Sequence, residues 1–128
     1  MTKYEQLAIN AVKRTDCDAN INPKLAWKIE ASKMFGEKKS SAKKCCPRNA
    51  FLGLCEEGLI KGIPKEKYIT KPNSLNKKYV LDGYKCLKDN DTDIKPRELW
   101  KQIGMGEKAY NSQMDVLCGL FKAGLLNI

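Results

Sequence analysis

Two stretches of this chain carry the same landmarks in the same order. Pro23-Lys24-Leu25-Ala26-Trp27-Lys28 and Pro96-Arg97-Glu98-Leu99-Trp100-Lys101 hold its only 2 tryptophans, each four residues after a proline and just before a lysine. Upstream, Lys3-Tyr4 matches Lys78-Tyr79, Val12-Lys13 matches Leu87-Lys88, and Ile21 matches Ile94. Downstream, Phe51 to Ile60 and Leu117 to Leu126 share their apolar spacing and a Gly-Leu ending. The shared order predicts a duplicated three-helix unit. The expected fold is all-α, with six helices in two tandem helix-turn-helix-like units: unit one over about 3–63, a linker over 64–73, and unit two over about 74–128. A unit of about 60 residues is marginal alone, because small chains bury a smaller share of their surface. The two are therefore expected to share one core as a single compact domain.

Local signals place the helices. Tyr4, Leu7, Ala8, Ala11 and Val12 recur at three- and four-residue spacing, predicting a helix over 3–14 with one buried face. Asn22 reads as a cap with Pro23 at the first helical position. That helix runs to Phe35 and Gly36 ends it. Its two apolar stripes, Leu25-Ile29-Ser32-Phe35 and Trp27-Ala31-Met34, predict packing on both sides. Pro47 opens a third helix to about Glu57, closed by Gly58. Tyr68-Ile69-Thr70 allows at most a short strand. Ser74 reads as the cap of the fourth helix, which uses Tyr79, Val80, Gly83, Tyr84 and Leu87. Pro96 starts the fifth, stopped at Gly104 and Gly106. The sixth begins at Asn111-Ser112, with Asp115 in a capping-box-like position, and ends at Gly124.

The chemistry is bounded by what is missing. There is no histidine, so Ser-His-Asp and Cys-His arrangements are impossible. No phosphate-cradling glycine loop occurs. The 6 cysteines, at 17, 45, 46, 55, 86 and 118, include no Cys-x-x-Cys pair, and neither a metal nor a cofactor is expected. Cys55, Cys86 and Cys118 read as core residues. Cys46, beside Lys43, Lys44 and Arg48 and near a helix start, is the best candidate for a reactive thiolate. Asp89-Asn90-Asp91-Thr92-Asp93 departs from a calcium loop, having Ile94 where glycine is needed and Trp100 where a bidentate glutamate is needed. No catalytic residue is assigned, and the chain reads as a non-enzyme.

Charge supplies the positive argument. The net charge is +9, and residues 1–73 carry 15 basic against 8 acidic side chains, whereas 74–128 carry 9 against 7. The densest patch, Lys38 to Arg48, holds five positive charges and no acid. Such a patch suits a polyanion, although lysine outnumbers arginine 21 to 3, as codon bias alone also produces. In a helix-turn-helix the start of the third helix meets DNA. The candidate nucleic-acid-binding residues are Lys38, Lys39, Lys43, Lys44, Arg48 and Asn49 in unit one, with Lys108, Asn111 and Gln113 at the matching place in unit two. Lysines would neutralise phosphates; Arg48 and Asn49 could read base edges. Against this, the 36–46 connection is longer than a tight helix-turn-helix turn. The expected partner is DNA or RNA. The alternative is a protein-interaction or inhibitor module without catalytic activity, anchored through Trp27, Trp100, Tyr68 or Tyr110. No apolar run spans a bilayer and the start of the chain lacks a secretion signal, so no membrane and a cytoplasmic setting are expected.

The run Cys46-Pro47-Arg48-Asn49-Ala50-Phe51-Leu52-Gly53-Leu54-Cys55-Glu56-Glu57-Gly58-Leu59, with Asn111-Ser112-Gln113-Met114-Asp115-Val116, resembles an uncharacterised family of short bacterial proteins of about 130 residues, held as a domain of unknown function. The resemblance spans nearly the whole chain and implies no activity.

Overall fold

The computed structural model describes residues 2–17, 21–36, 40, 44–68, 75–90, 94–110 and 112–127. Six helices are named within them: α1 (Lys3–Cys17), α2 (Pro23–Phe35), α3 (Cys45–Glu56), α4 (Leu75–Asn90), α5 (Pro96–Gln102) and α6 (Gln113–Lys122). Among the described residues there is no strand, only an antiparallel bridge between Ile60 and Leu126.

Cap chemistry sets many of the ends. The Thr2 N–H donates to Glu5 Oε1 at 3.1 Å and the Glu5 N–H to Thr2 Oγ1 at 3.2 Å, a reciprocal capping box that starts α1. Asn22 Oδ1 accepts from the Leu25 N–H at 2.9 Å and Pro23 opens α2. Helices α3, α5 and α6 end alike. Gly58, Gly104 and Gly124 take positive φ, and the next N–H reaches back five residues: Leu59 to the Leu54 carbonyl, Met105 to Trp100, Leu125 to Leu120.

The core is continuous across both halves. Leu7, Ala8, Ala11 and Val12 of α1 bury with Trp27 and Ala31 of α2, Phe51 and Leu54 of α3, Val80 and Leu87 of α4, Leu99 and Trp100 of α5, and Val116, Leu117 and Leu120 of α6. Trp27 stacks on Phe51 with ring centroids 5.1 Å apart. The first helix of each half packs on the third helix of the other: α1 lies against α6, and α4 against α3. Glycines permit both crossings. A Cβ on Gly119 would stand 2.7 Å from Glu5 Cα, and one on Gly53 would stand 2.9 Å from Lys77 Cβ. Three residues beyond each glycine an ion pair ties the crossing: Lys122 to Glu5 at 3.3 Å, and Glu56 to Lys77 at 2.9 Å, with the charges reversed. The two glycine caps then meet. The Lys61 N–H donates to the Leu125 carbonyl and the Asn127 N–H to the Leu59 carbonyl, both at 2.8 Å.

Several boundaries differ from the sequence reading. α1 continues to Cys17, where Thr15 Oγ1 donates to the Val12 carbonyl at 2.7 Å. α3 starts at Cys45, so Pro47 sits in its first turn, where a proline needs no N–H partner. α2 is not clad on both faces: Leu25 is 44% exposed, because α2 lies at the edge, packed mainly against α1. Ser112 has φ +66° and caps nothing with its side chain, while the Asp115 carboxylate turns to Thr2 and Tyr110. Ser74, Ile69 and Thr70 lie outside the described residues.

Candidate functional site

The starts of four helices meet at one end of the molecule. Thr2 Oγ1, the cap of α1, donates to Asp115 Oδ2 in the first turn of α6 at 2.8 Å. Gln113 Nε2, on the first residue of α6, donates to Asn76 Oδ1, on the second residue of α4, at 3.0 Å. Cys46, the second residue of α3, lines one cavity together with Asn76. Lys44, the residue before α3, holds its ammonium 5.7 Å from the centroid of the Tyr4 ring on α1.

Exposed backbone N–H groups give a helix start a partial positive charge. Two of these four carry an acid in the first turn, Glu5 in α1 and Asp115 in α6. α3 and α4 carry none, and the side chain of Lys44 forms no cap on α3. Neither start therefore has an acid in its own first turn, although Lys77 in the first turn of α4 pairs with Glu56 and Glu57 at 2.9 Å. Arg48 Nε, in α3, is buried and has no hydrogen-bond partner among the described residues.

A cavity of about 310 Å³ opens among these starts, lined by Cys46, Leu75, Asn76, Tyr79, Trp100, Met105, Lys108, Ala109 and Gln113. Its wall is aromatic. Tyr79 meets Trp100 edge-on at 5.2 Å and Trp100 meets Tyr110 at 5.4 Å, while the Arg97 guanidinium lies 5.2 Å from the Tyr110 centroid. Trp100 Nε1 donates to the Lys108 carbonyl at 3.2 Å, which fixes the 103–110 loop under the cavity. Tyr110 donates its hydroxyl to Asp115 Oδ1 and receives the Asp115 N–H at 2.8 Å. Burial, then the Asp115 carboxylate, push the Tyr110 phenol far above its ordinary range.

The sequence-derived candidates divide. Lys38, Lys39, Lys43 and Asn111 lie outside the described residues. Lys44 and Lys108 flank the converging helix starts, and Lys108 is exposed. Arg48 and Asn49 are half-buried rather than presented. Gln113 is 2% exposed with its amide engaged by Asn76, so it lies in the wall instead of on the surface. The proposed anchors Trp27 and Trp100 are core residues, 1% and 3% exposed. The start of α4 with Leu75, Asn76 and Tyr79 was not among the candidates, although the Lys3-Tyr4 and Lys78-Tyr79 match was the signal that could have found it. The surroundings of Cys46 do not favour the thiolate. Burial pushes its thiol up, Cys45 pushes the same way, and Asn76 and Lys44 only oppose them. A second cleft, of about 450 Å³, lies beside the other end of α1 and is lined in part by Asp16, Glu66 and Tyr68; its carboxylates disfavour an anion.

None of the described helices is long and apolar enough to cross a membrane. No curated protein and no solved structure matches the chain. A family model does match, over residues 1–127, and the chain therefore belongs to DUF6979, a family of unknown function.

Proposed function

We propose that this protein binds nucleic acid through the end where its helix starts converge, by neutralising phosphates rather than reading bases. The observation that carries this is the pair of helix starts with no acid in the first turn, α3 and α4, set beside Lys44 and Lys108. The lysine-rich segment containing Lys38, Lys39 and Lys43 joins Gly36 to Lys44. Its two anchor points lie at this same end, since Phe35 packs on Tyr4 at 5.3 Å and Lys44 covers the Tyr4 ring. Phosphates are favoured at helix starts and by lysine. Base reading is not part of the proposal, because Gln113 is buried and Arg48 and Asn49 are half-buried. The expected setting is the cytoplasm of a bacterium.

The proposal includes duplication of a three-helix unit. The matched Gly-Leu caps, the reciprocal crossing of first on third helices and the paired glycines support it. In this reading the working surface lies where the copies differ, in the longer connection before α3.

Fluorescence anisotropy with mixed-sequence duplex and single-stranded oligonucleotides, titrated with salt, tests the binding. Affinity is expected to fall linearly on logarithmic axes. For duplex, a Lys38/Lys39/Lys43→Ala variant should have a slope shallower by about 0.9 for each phosphate it no longer neutralises. Absence of binding at low salt overturns the proposal.

A further inference from the structure

The cavity among the helix starts joins an apolar lining to a cationic one. Trp100 lines it and is buried, Tyr79 and Met105 are half-buried, and Leu75 is 62% exposed. Single exposed apolar residues are ordinary on a protein surface. This one, however, shares a cavity with two aromatic rings and a thioether. Lys108 also lines the cavity and is exposed, and none of the described residues that line it is acidic. The volume of about 310 Å³ falls at the small end of pockets for organic ligands, about 300–1,000 Å³. A ligand that fits has a flat apolar body and a negative charge beside it, as one nucleotide unit does.

We infer that the nucleic acid bound at this end is single-stranded, with one unpaired base seated in the cavity against Leu75, Tyr79 and Met105 and its phosphates toward Lys44 and Lys108. The inference rests on the phosphate binding proposed above. Charge alone gives the opposite preference. Duplex carries one phosphate charge per about 1.7 Å of axis, twice the density of one of its strands, so a purely electrostatic surface favours duplex. A paired base is stacked inside the duplex and reaches a pocket only by being extruded, at a cost in unstacking and unpairing. A single strand offers its bases with little of that cost. Apolar contact with a base is tolerant of sequence, because every base has a flat face. Gln113 Nε2 is taken by Asn76 Oδ1 at 3.0 Å, which keeps that donor from reading a base edge.

Fluorescence anisotropy at a single low salt concentration tests this with three labelled probes. They are a mixed-sequence DNA strand, the same strand annealed to its complement, and a strand of equal length built from abasic tetrahydrofuran units. The mixed strand is expected to bind more tightly than the duplex. The abasic strand keeps every phosphate and should bind about fivefold or more weakly than the mixed strand, the lower end of what one base–aromatic contact contributes. Leu75→Ser should weaken the mixed strand and leave the duplex unchanged. Leu75 is exposed, so the variant should keep its helical circular dichroism. Duplex or abasic strand bound as tightly as the mixed strand, or a folded Leu75→Ser variant that binds the mixed strand unchanged, overturns the inference and leaves phosphate binding standing. Absence of binding to all three probes overturns both.

Discussion

At the scale of single residues, the most consequential group is the Asp115 carboxylate. Asp115 is 6% exposed and accepts from Thr2 and Tyr110, which ties the start of α6 to the start of α1 and to the loop before α6. A buried carboxylate is tolerable only when its oxygens are hydrogen-bonded. Tyr110→Phe removes one of those donors and should cost about 1–3 kcal/mol at neutral pH, measured by urea unfolding. The pH dependence carries a definite sign. The folded-state pKa of Tyr110 lies above its ordinary 10.0, so the folded chain holds the proton more tightly than the unfolded chain. Its stabilisation is complete below pH about 10 and declines as pH rises above that value. Lys77 is also held above its usual 10.5; its partial burial opposes the shift, but hydrogen bonds to Glu57 and Glu56 outweigh it, and its contribution fades in the same direction. Stability should therefore fall on the alkaline side, and the fall should be shallower in Tyr110→Phe.

At the scale of helices, the glycines facing the crossings matter more than the capping ones for how the elements meet. Gly119 lets the backbone of α1 lie directly on α6: its nearest neighbours would be Glu5 Cα at 2.7 Å and the Glu5 carbonyl oxygen at 2.8 Å. Backbone cannot swing aside as a side-chain tip can. Gly119→Ala should therefore destabilise by about 1–3 kcal/mol, overcoming the helix-propensity gain of alanine. Gly53→Ala meets mainly the Lys77 side chain and should cost less. Unfolding midpoints of the two variants check the order. The repeated pattern made both glycines visible, but a sequence cannot say which foreign helix lies on them. The capping boundaries show the same division. Asn22 and Gly58 were legible because a cap is a local hydrogen-bond problem. Ser112 does not cap as its spacing to Asp115 predicts: the Asp115 N–H donates to the Tyr110 hydroxyl and its carboxylate accepts from distant Thr2.

At the scale of the whole molecule, the halves interleave. α1 packs on α6 and α3 on α4, so each half buries its third helix with the other half's first. A fragment of residues 1–63 would expose the apolar faces of α1 and α3 that meet the second half, and should show little helicity by circular dichroism. The same holds for 64–128. Mixing the two should restore helicity, through the α1–α6 and α3–α4 packing and the bonds between the two glycine caps. Independent folding of either fragment would contradict the shared core.

The helical class, most helix ends and most core positions were legible in the sequence, although the outer stripe of α2 and the inward turn of Gln113 were not. Each of the legible features depends on residues within a few positions of one another: apolar spacing, a proline at a helix start, a glycine after a helix end. It also showed where basic charge is densest. Packing, which local pattern does not reveal, brings the starts of α1, α3, α4 and α6 to one end, turns Gln113 inward to Asn76 and sets Cys46 against a cavity with Asn76 and Trp100. Those features come from packing between segments separated by tens of residues along the chain, where close fit chooses among arrangements that local pattern leaves equally allowed.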